Sequence, residues 1–354
     1  MGREGWGVYP PFGGIAECMR FRQVWHVLMI KHSKLTRRGF VKTSLFASAA
    51  MPLGLSAQGA PPPQSPPASA LAPATKDTLP MGKIGGQEFS RLMLGGNLIS
   101  GYSHARDLGY VAPLMRFYNT PAKIRETLET AEANGINAIN TFVTDDISAL
   151  DEHWKNGGTM KWIAQVGAGD ASGCPHIQLA VDRGATAIHI NGDHAETLLA
   201  KGQFERVGEI VQWTKAQKRI AGISAHDLRV PIECEKLKVD VDFYQKTLHT
   251  HDYYSAPRPD ETGPKGDHDN SWCSDPKAVV DFMAGIKKPW IAFKILAAGA
   301  LSPRQAFPHA FNGGADFILV GMFDWQIAEN VKLARRVVSL TMQPDSKRTR
   351  PWCG

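Results

Sequence analysis

The sequence has 354 residues, of which 43% are hydrophobic, so it can bury a sizeable core, and its formal net charge is +6. The first 57 residues contain eight Lys and Arg against two Asp and Glu, whereas the remainder contains 32 of each sign and is neutral. The excess of basic residues therefore lies in the first 57 residues, which removes the main sequence argument for nucleic-acid binding. The five cysteines show no Cys-x-x-Cys spacing, so neither a zinc knuckle nor a disulfide framework is indicated.

The amino-terminal segment has the pattern of an export signal. Arg37 and Arg38 are followed by Gly-Phe-Val-Lys and then by a mildly apolar run that ends in small residues. This pattern resembles a twin-arginine signal, which implies export by the twin-arginine machinery to the periplasm or the extracellular space. The apolar run is too short and too rich in Ala and Ser to span a bilayer stably. We therefore predict a leader over residues 1–60, with translation starting at Met29, and a Pro/Ala-rich linker over residues 61–80.

Replacing both Arg37 and Arg38 by lysine should hold the precursor in the cytoplasm, because the paired arginines are the recognisable element of the signal. Cell fractionation measures this, and normal appearance of the mature protein outside would contradict the assignment. The mature amino terminus should lie between about residues 57 and 62, as read by terminal mass analysis.

From residue 82 onward the hydrophobic pattern alternates between strand and helix periods. A hairpin around Gly85-Gly86 comes first. The predicted strands then cover residues 91–95, 136–141, 161–166, 187–191, 219–224, 239–246, 290–297 and 317–321. The predicted helical runs cover residues 120–135, 175–183, 195–217, 276–285, 303–312 and 326–340. Eight strands alternating with helices predict one (β/α)8 TIM barrel, an α/β fold, over residues 81–342, followed by a tail over residues 343–354.

A long polar loop follows the sixth predicted strand. About 28 residues up to Ser274 have no hydrophobic period but are rich in imidazole, carboxylate and aromatic groups. These groups are His249, His251, Asp252, Tyr253, Tyr254, Asp267, His268, Asp269 and Trp272. Loops of this length in a compact domain are usually functional or disordered, and this composition favours function over a merely solvated insertion.

Several segments together resemble the aldo/keto reductase family, in the family's order and spacing over residues 82–340. They are IGGQEFSRLMLG at 84–95, GINAINT at 135–141, RIAGIS at 219–224, FYQ at 243–245, ADFILVGM at 315–322 and AEN at 328–330. The resemblance implies a TIM barrel whose site lies at the carboxyl ends of the strands. It also implies an oxidoreductase that uses NAD(P).

Five positions carry the residue types with which that family binds its cofactor: Ser224, Gln245, Phe293, Glu329 and Asn330. The first two stand where the family holds the nicotinamide carboxamide, which needs both a donor and an acceptor. The third stands where an aromatic ring stacks on the nicotinamide, and the last two where adenine is contacted. Met322 and Phe323 replace a cation that usually approaches the 2′-phosphate, so the choice between NAD and NADP stays open.

The catalytic positions depart from the family pattern. Asn140 replaces the strand-two Asp, Asp145 the proton-donating Tyr, and Gln165 the strand-three Lys, while His194 is the candidate for the strand-four His. A phenol whose pKa is lowered by a lysine is therefore missing as general acid. We expect His194 or a loop histidine to move the proton instead.

Two lysines, Lys246 and Lys294, lie on or just past predicted strands. A lysine that is desolvated in a barrel can have a lowered pKa and act as nucleophile or base. Pairing of each lysine with a carboxylate at the barrel mouth is the simpler interpretation. Lys294 is retained among the catalytic candidates.

The histidines support a rival prediction. The carboxyl ends of barrel strands converge on one mouth. The histidines that should therefore lie at the mouth are His189 or His194 after strand four, His226 after strand five, and His249 and His251 after strand six. The last three could hold a divalent metal with an open position for water, although each could instead be an ordinary hydrogen-bonded residue.

The sequence leaves three functions open. The first is an exported oxidoreductase of the aldo/keto reductase type that acts on a carbonyl, polyol or sugar-like small molecule. The second is a metal-dependent hydrolase, lyase or isomerase on the same scaffold. The third is a binding barrel without catalytic activity. The retained cofactor positions favour the first function, and the histidines favour the second.

Overall fold

The computed structural model of the chain describes residues 78–169, 173–257 and 270–354. The predicted leader and all but the last three residues of the linker lie outside the described residues. So do Asp267, His268 and Asp269 of the long polar loop. In the described ranges, no helix is long and apolar enough to cross a membrane.

A short hairpin precedes the barrel, as predicted. Strand β1 (Met81–Ile84) pairs antiparallel with β2 (Gln87–Ser90), and Gly85 and Gly86 turn between them. Both glycines have positive φ, 54° and 81°, a region that side chains with a Cβ rarely adopt. The turn residues therefore explain why the hairpin closes at this point.

Eight parallel strands form a closed barrel in which each strand neighbours the next along the chain and the last strand pairs with the first. They are β3 (Leu92–Gly95), β4 (Ala138–Phe142), β5 (Lys161–Val166), β6 (Ala187–Ile190), β7 (Ile220–Ala225), β8 (Phe243–Thr247), β9 (Trp290–Phe293) and β10 (Phe317–Gly321). Helices lie between the strands in the chain, so the predicted (β/α)8 TIM barrel is confirmed.

The helices surround the barrel. In the described part of the chain they are α1 (Val111–Tyr118), α2 (Pro121–Ala133), α3 (Ser148–Lys155), α4 (Pro175–Asp182), α5 (Gly192–Ala200), α6 (Glu205–Ala216), α7 (Arg229–Lys236), α8 (Pro276–Ala284), α9 (Pro303–Asn312) and α10 (Asp324–Thr341). The predicted amino-terminal signals of α2 and α8 are confirmed. Thr120 accepts a hydrogen bond from Lys123 N at 3.3 Å, and Asp275 accepts one from Ala278 N at 2.9 Å.

Three predicted elements differ clearly from the structure. The single run over residues 195–217 is two helices, because Gly202 takes a left-handed φ of 65° between α5 and α6. Strand β9 ends at Phe293 rather than at residue 297, because Lys294 has a φ of 52° and leaves the extended conformation. Strand β8 begins at Phe243 rather than at residue 239, so the first apolar positions of that pattern belong to the preceding loop.

The barrel interior is filled by one apolar cluster. It contains Ile84, Phe89, Met93, Ala138, Ile163, Ala187, Ile220, Phe243, Ile291, Phe317 and Leu319. At its centre Phe243 lies so close to Gly222 that an added Cβ would be 2.3 Å from the Phe243 Cζ atom. Since the hairpin supplies Ile84 and Phe89 to this cluster, it covers the amino-terminal end of the barrel. The opposite end, where the strands finish, remains for a site.

The tail over residues 343–354 packs against the amino-terminal side of the barrel. Arg348 and Arg350 both contact the carboxylate of Asp316, which is completely buried at the start of β10. The Trp352 ring lies 4.1 Å from the Arg91 guanidinium carbon and 3.7 Å from that of Arg348. The tail is thus an integral part of the barrel rather than an appendage.

Candidate functional site

A large cleft opens at the carboxyl ends of the barrel strands, with a volume of about 2080 Å³. Small-molecule sites usually have volumes of roughly 300–1,000 Å³, so this cleft has room for a cofactor and a substrate together. Its floor includes polar side chains of β4, β5, β7 and β8, namely Asn140, Gln165, Ser224 and Gln245. Its wall includes segments after β3, β6 and β9. This is the end of the barrel where the sequence predicted the site.

A chain of neutral hydrogen bonds runs across one side of the floor. Asn191 Nδ2 donates to Gln165 Oε1 at 3.0 Å, and Gln165 Nε2 donates to Asn140 Oδ1 at 2.6 Å. Asn140 Nδ2 lies 2.8 Å from His189 Nε2. Because Asn140 Nδ2 can only donate, His189 Nε2 must accept, and its Nδ1–H then donates to Ile190 O at 3.1 Å. Burial lowers the pKa of His189 to about 4, which keeps this ring neutral.

Of the two histidines predicted near strand four, His189 lies on the strand and His194 lies beyond it. Strand β6 contains His189, whereas His194 lies exposed in the first turn of α5, with Nδ1 3.3 Å from Ala168 N. His194 lies on α5 because the helix starts at Gly192, directly after the strand. His194 does line the cleft, so its proposed role in proton transfer stays a prediction.

The Asp145 carboxylate anchors the loop that follows β3. Its carboxylate accepts hydrogen bonds from Ser100 Oγ and Tyr102 OH, both at 2.8 Å, and from Phe142 N at 3.1 Å. The hydrogen bond to this carboxylate raises the pKa of Tyr102. Asp145 is buried, and this contact set anchors the Ser100–Tyr102 side of the mouth to β4.

Ser224 and Gln245 face each other on neighbouring strands, at paired positions of the β7–β8 register. Gln245 Nε2 lies 3.4 Å from Ser224 Oγ. Gln245 Oε1 is buried and accepts no hydrogen bond from any described residue. An unmade hydrogen bond on a buried acceptor costs about 1–3 kcal/mol. Both side chains line the cleft, as does the half-buried Phe293, so the nicotinamide candidates meet in one place.

The adenine candidates lie elsewhere. The Glu329 side chain is 74% exposed and pairs with Lys332 at 2.7 Å. Asn330 is buried on α10, and neither residue belongs to the cleft lining. Phe323 does line the cleft and stacks on Trp325 with ring centroids 6.2 Å apart. The aromatic pair, rather than the two predicted residues, therefore borders the cleft at the start of α10.

The structure does not bring the three predicted metal-binding histidines to one point. His226 lines the cleft, whereas His249 and His251 do not. His249 is fully buried, and its Nε2 accepts hydrogen bonds from Trp272 N at 3.0 Å and Cys273 N at 3.1 Å. His251 Nε2 lies 2.7 Å from Cys273 O. Both rings therefore attach the end of β8 to the segment around residue 272, which sequence parity could not reveal.

His226 instead lies beside two carboxylates of α5 that the sequence analysis did not single out. Its Nδ1 is 3.5 Å from Asp193 Oδ1 and 3.2 Å from Glu196 Oε1. Glu196 Oε1 also accepts from His226 N at 2.5 Å and from Asp227 N at 2.9 Å. Burial alone would raise the pKa of Glu196, but the hydrogen bonds from His226 and Asp227 lower it overall. The missed signal was an Asp-x-x-Glu pair directly after strand four.

The two lysines differ in position. Lys246 points away from the cleft, and its Nζ donates to His226 O and Thr247 Oγ1, both at 2.7 Å. Carbonyl and hydroxyl groups therefore replace the expected carboxylate, and burial lowers the pKa of Lys246 to about 8. Lys294 lines the cleft, with Nζ 2.8 Å from His104 Nε2 and 4.0 Å from the Trp272 ring centre.

Comparison with known proteins supports the fold. The sequence matches no protein-family model and no curated protein. Two solved structures, both of Pseudomonas aeruginosa proteins provisionally assigned as aldo-keto reductases, each have 17% identity and a TM-score of 0.50. Each alignment covers 74% of this chain and 98% of the other. A protein called QR15, an aldolase, has 12% identity, a TM-score of 0.37 and coverage of 63% and 92%, which is too distant to support an argument. The chain thus has the barrel fold of these two structures.

Proposed function

We propose that this barrel binds a nicotinamide dinucleotide in its mouth and acts as an oxidoreductase on a small carbonyl, polyol or sugar-like compound. The observation that carries the proposal is the buried, unsatisfied Oε1 atom of Gln245, which lies in the cleft beside Ser224. A carboxamide has an NH₂ group to donate to Gln245 Oε1 and an oxygen to accept from the Ser224 hydroxyl. The residues present therefore fit the nicotinamide end of the cofactor.

Phe293 would pack against the nicotinamide ring and limit its orientation. This side chain ends β9 and lies in the same cleft as Ser224 and Gln245. When bound, the cofactor would supply the hydride acceptor or donor. The chain's own task is to hold the substrate carbon near the ring and to exchange a proton with the substrate oxygen.

The neutral chain on the cleft floor is a poor proton source. Asn140 and Gln165 do not titrate, and His189 Nε2 is already engaged by Asn140. We assign proton exchange to Lys294, which follows Phe293 directly and lines the cleft next to His104 and Trp272. An ammonium at this position would pass a proton to the substrate oxygen and would be reprotonated by water that enters the cleft. The amides of Asn140 and Gln165 would then contact substrate hydroxyls.

Gln245→Ala should weaken nucleotide binding by about 1–3 kcal/mol, a roughly 5- to 150-fold higher Kd, because the carboxamide loses a buried partner. Titration of NADH and NADPH, followed by nucleotide fluorescence, measures the change. Gln178→Ala, in an exposed glutamine of α4 that pairs with Asp182, is the matched control and should bind like the wild type. If neither nucleotide, oxidised or reduced, binds saturably to the wild-type protein, the proposal is wrong.

A further inference from the structure

A second cluster in the cleft has the composition of a cation site. Asp193 and Glu196 lie one turn apart in α5, and His226 follows β7. One possible ligand atom from each residue lies within 4.8 Å of the other two. Bonds of about 2.0–2.2 Å from nitrogen or oxygen to a transition metal place adjacent ligand atoms roughly 3.0–3.5 Å apart, so the three side chains are near enough to reach one ion. All three residues line the cleft.

The cluster has a net negative charge of its own, with Lys246 and Arg229 acting on Glu196 only through space and without an ion-pair contact. In the described ranges, His226 is the ion-pair partner of both carboxylates, and neither carboxylate pairs with a lysine or an arginine. Two carboxylates beside one imidazole carry a net negative charge whether or not the imidazole is protonated. Because the cluster is partly sheltered by the cleft, a bound cation would relieve the repulsion between the carboxylates.

The cluster is also held in place before any ligand arrives. Glu196 Oε1 is fixed by the backbone N–H groups of His226 and Asp227, and this leaves Oε2 available for another contact. Lys246 Nζ holds His226 O from the other side of the barrel wall. The His226 ring packs on Phe293 with ring centroids 5.4 Å apart. Such outer contacts are what orient the ligands of metal sites in proteins.

We infer that Asp193, Glu196 and His226 bind one divalent transition-metal ion, such as Mn²⁺ or Zn²⁺. One imidazole and two carboxylates suit these borderline ions better than a thiolate-preferring ion. With three protein ligands, the ion would keep open positions toward the cleft. The site does not depend on nucleotide binding, and it differs from the three-histidine site that the sequence predicted.

The test is titration of the purified full chain, treated with a chelator and then dialysed, with MnCl₂. The electron paramagnetic resonance signal of free Mn²⁺ reports binding, and ZnCl₂ serves as competitor. The wild type should bind close to one equivalent, and addition of the ion should raise the Tm. Asp193→Asn and Glu196→Gln should each weaken binding by at least about tenfold. Glu196→Gln keeps an acceptor for His226 N and Asp227 N. A loss of binding in this variant therefore reflects the lost charge and not misfolding.

His194→Gln is the matched control, since His194 is a neighbouring histidine on the same helix turn, and it should bind Mn²⁺ within about twofold of the wild type. His226→Gln should abolish binding, and if it fails to fold the two carboxylate variants decide the result. The inference is overturned if the wild type shows no saturable Mn²⁺ or Zn²⁺ binding, or if both carboxylate variants bind like the wild type. The cluster would then be an ion pair that fixes the β7 loop.

Discussion

Replacing Asp316 by alanine should lower the free energy of unfolding by about 3–5 kcal/mol, the largest stability change that we expect from a single substitution in this chain. The Asp316 carboxylate is fully buried and binds the guanidinium groups of Arg348 and Arg350. It also accepts from Trp290 N at 2.9 Å and Cys353 N at 2.8 Å. Its removal would leave two buried cations and two backbone donors without their main partner.

Urea denaturation followed by circular dichroism measures this effect. Arg350→Ala should cost a similar amount, and the double variant should cost less than the sum of the two, because both substitutions break the same cluster. Asp345→Ala, an exposed aspartate of the same tail, is the control and should change the free energy of unfolding by less than about 0.5 kcal/mol. A loss below about 1 kcal/mol for Asp316→Ala would show that the contacts between the tail and Asp316 contribute little to stability.

Acidification from pH 7 to pH 5 should lower the free energy of unfolding by about 2 kcal/mol for each of two buried histidines, His189 and His249. Burial lowers the pKa of each to about 4, from 6.5 in the unfolded chain. Between about pH 4 and pH 6.5 these two histidines are protonated in the unfolded chain and neutral in the folded chain. The stabilising contribution is therefore complete above about pH 6.5 and is lost as the pH falls toward 4.

The contacts of both rings explain why protonation destabilises the folded protein. Protonated His249 would turn its Nε2 from an acceptor into a donor that faces the N–H groups of Trp272 and Cys273. Protonated His189 would likewise oppose the Asn140 amide. Urea titrations at several pH values between 5 and 7 test this in a window where most carboxylates stay ionised. His249→Gln should reduce the pH dependence by about 2 kcal/mol over this range, whereas His194→Gln, at an exposed site, should not change it. A free energy of unfolding that is constant over this range would contradict the assignment.

The amino-acid sequence by itself determined the architecture of this protein. Strand β5, strand β10 and helix α9 begin and end where the hydrophobic period and the proline and glycine signals predicted. Those signals are local, so they are visible without tertiary information. The meeting of Ser224 with Gln245 was also predictable, because two consecutive parallel strands place their carboxyl ends side by side.

The tertiary structure decided which polar groups act together. Parity on an extended chain could not show that His249 turns inward to bind Trp272 N and Cys273 N, since that contact depends on the path of a long loop. Residue type could not show that His189 is locked to Asn140, or that His226 meets Asp193 and Glu196. Each of these contacts joins side chains from separate elements whose spacing is set by barrel closure and helix placement. A hydrogen bond forms only within about 3.5 Å, and local pattern does not determine distances between elements to that precision.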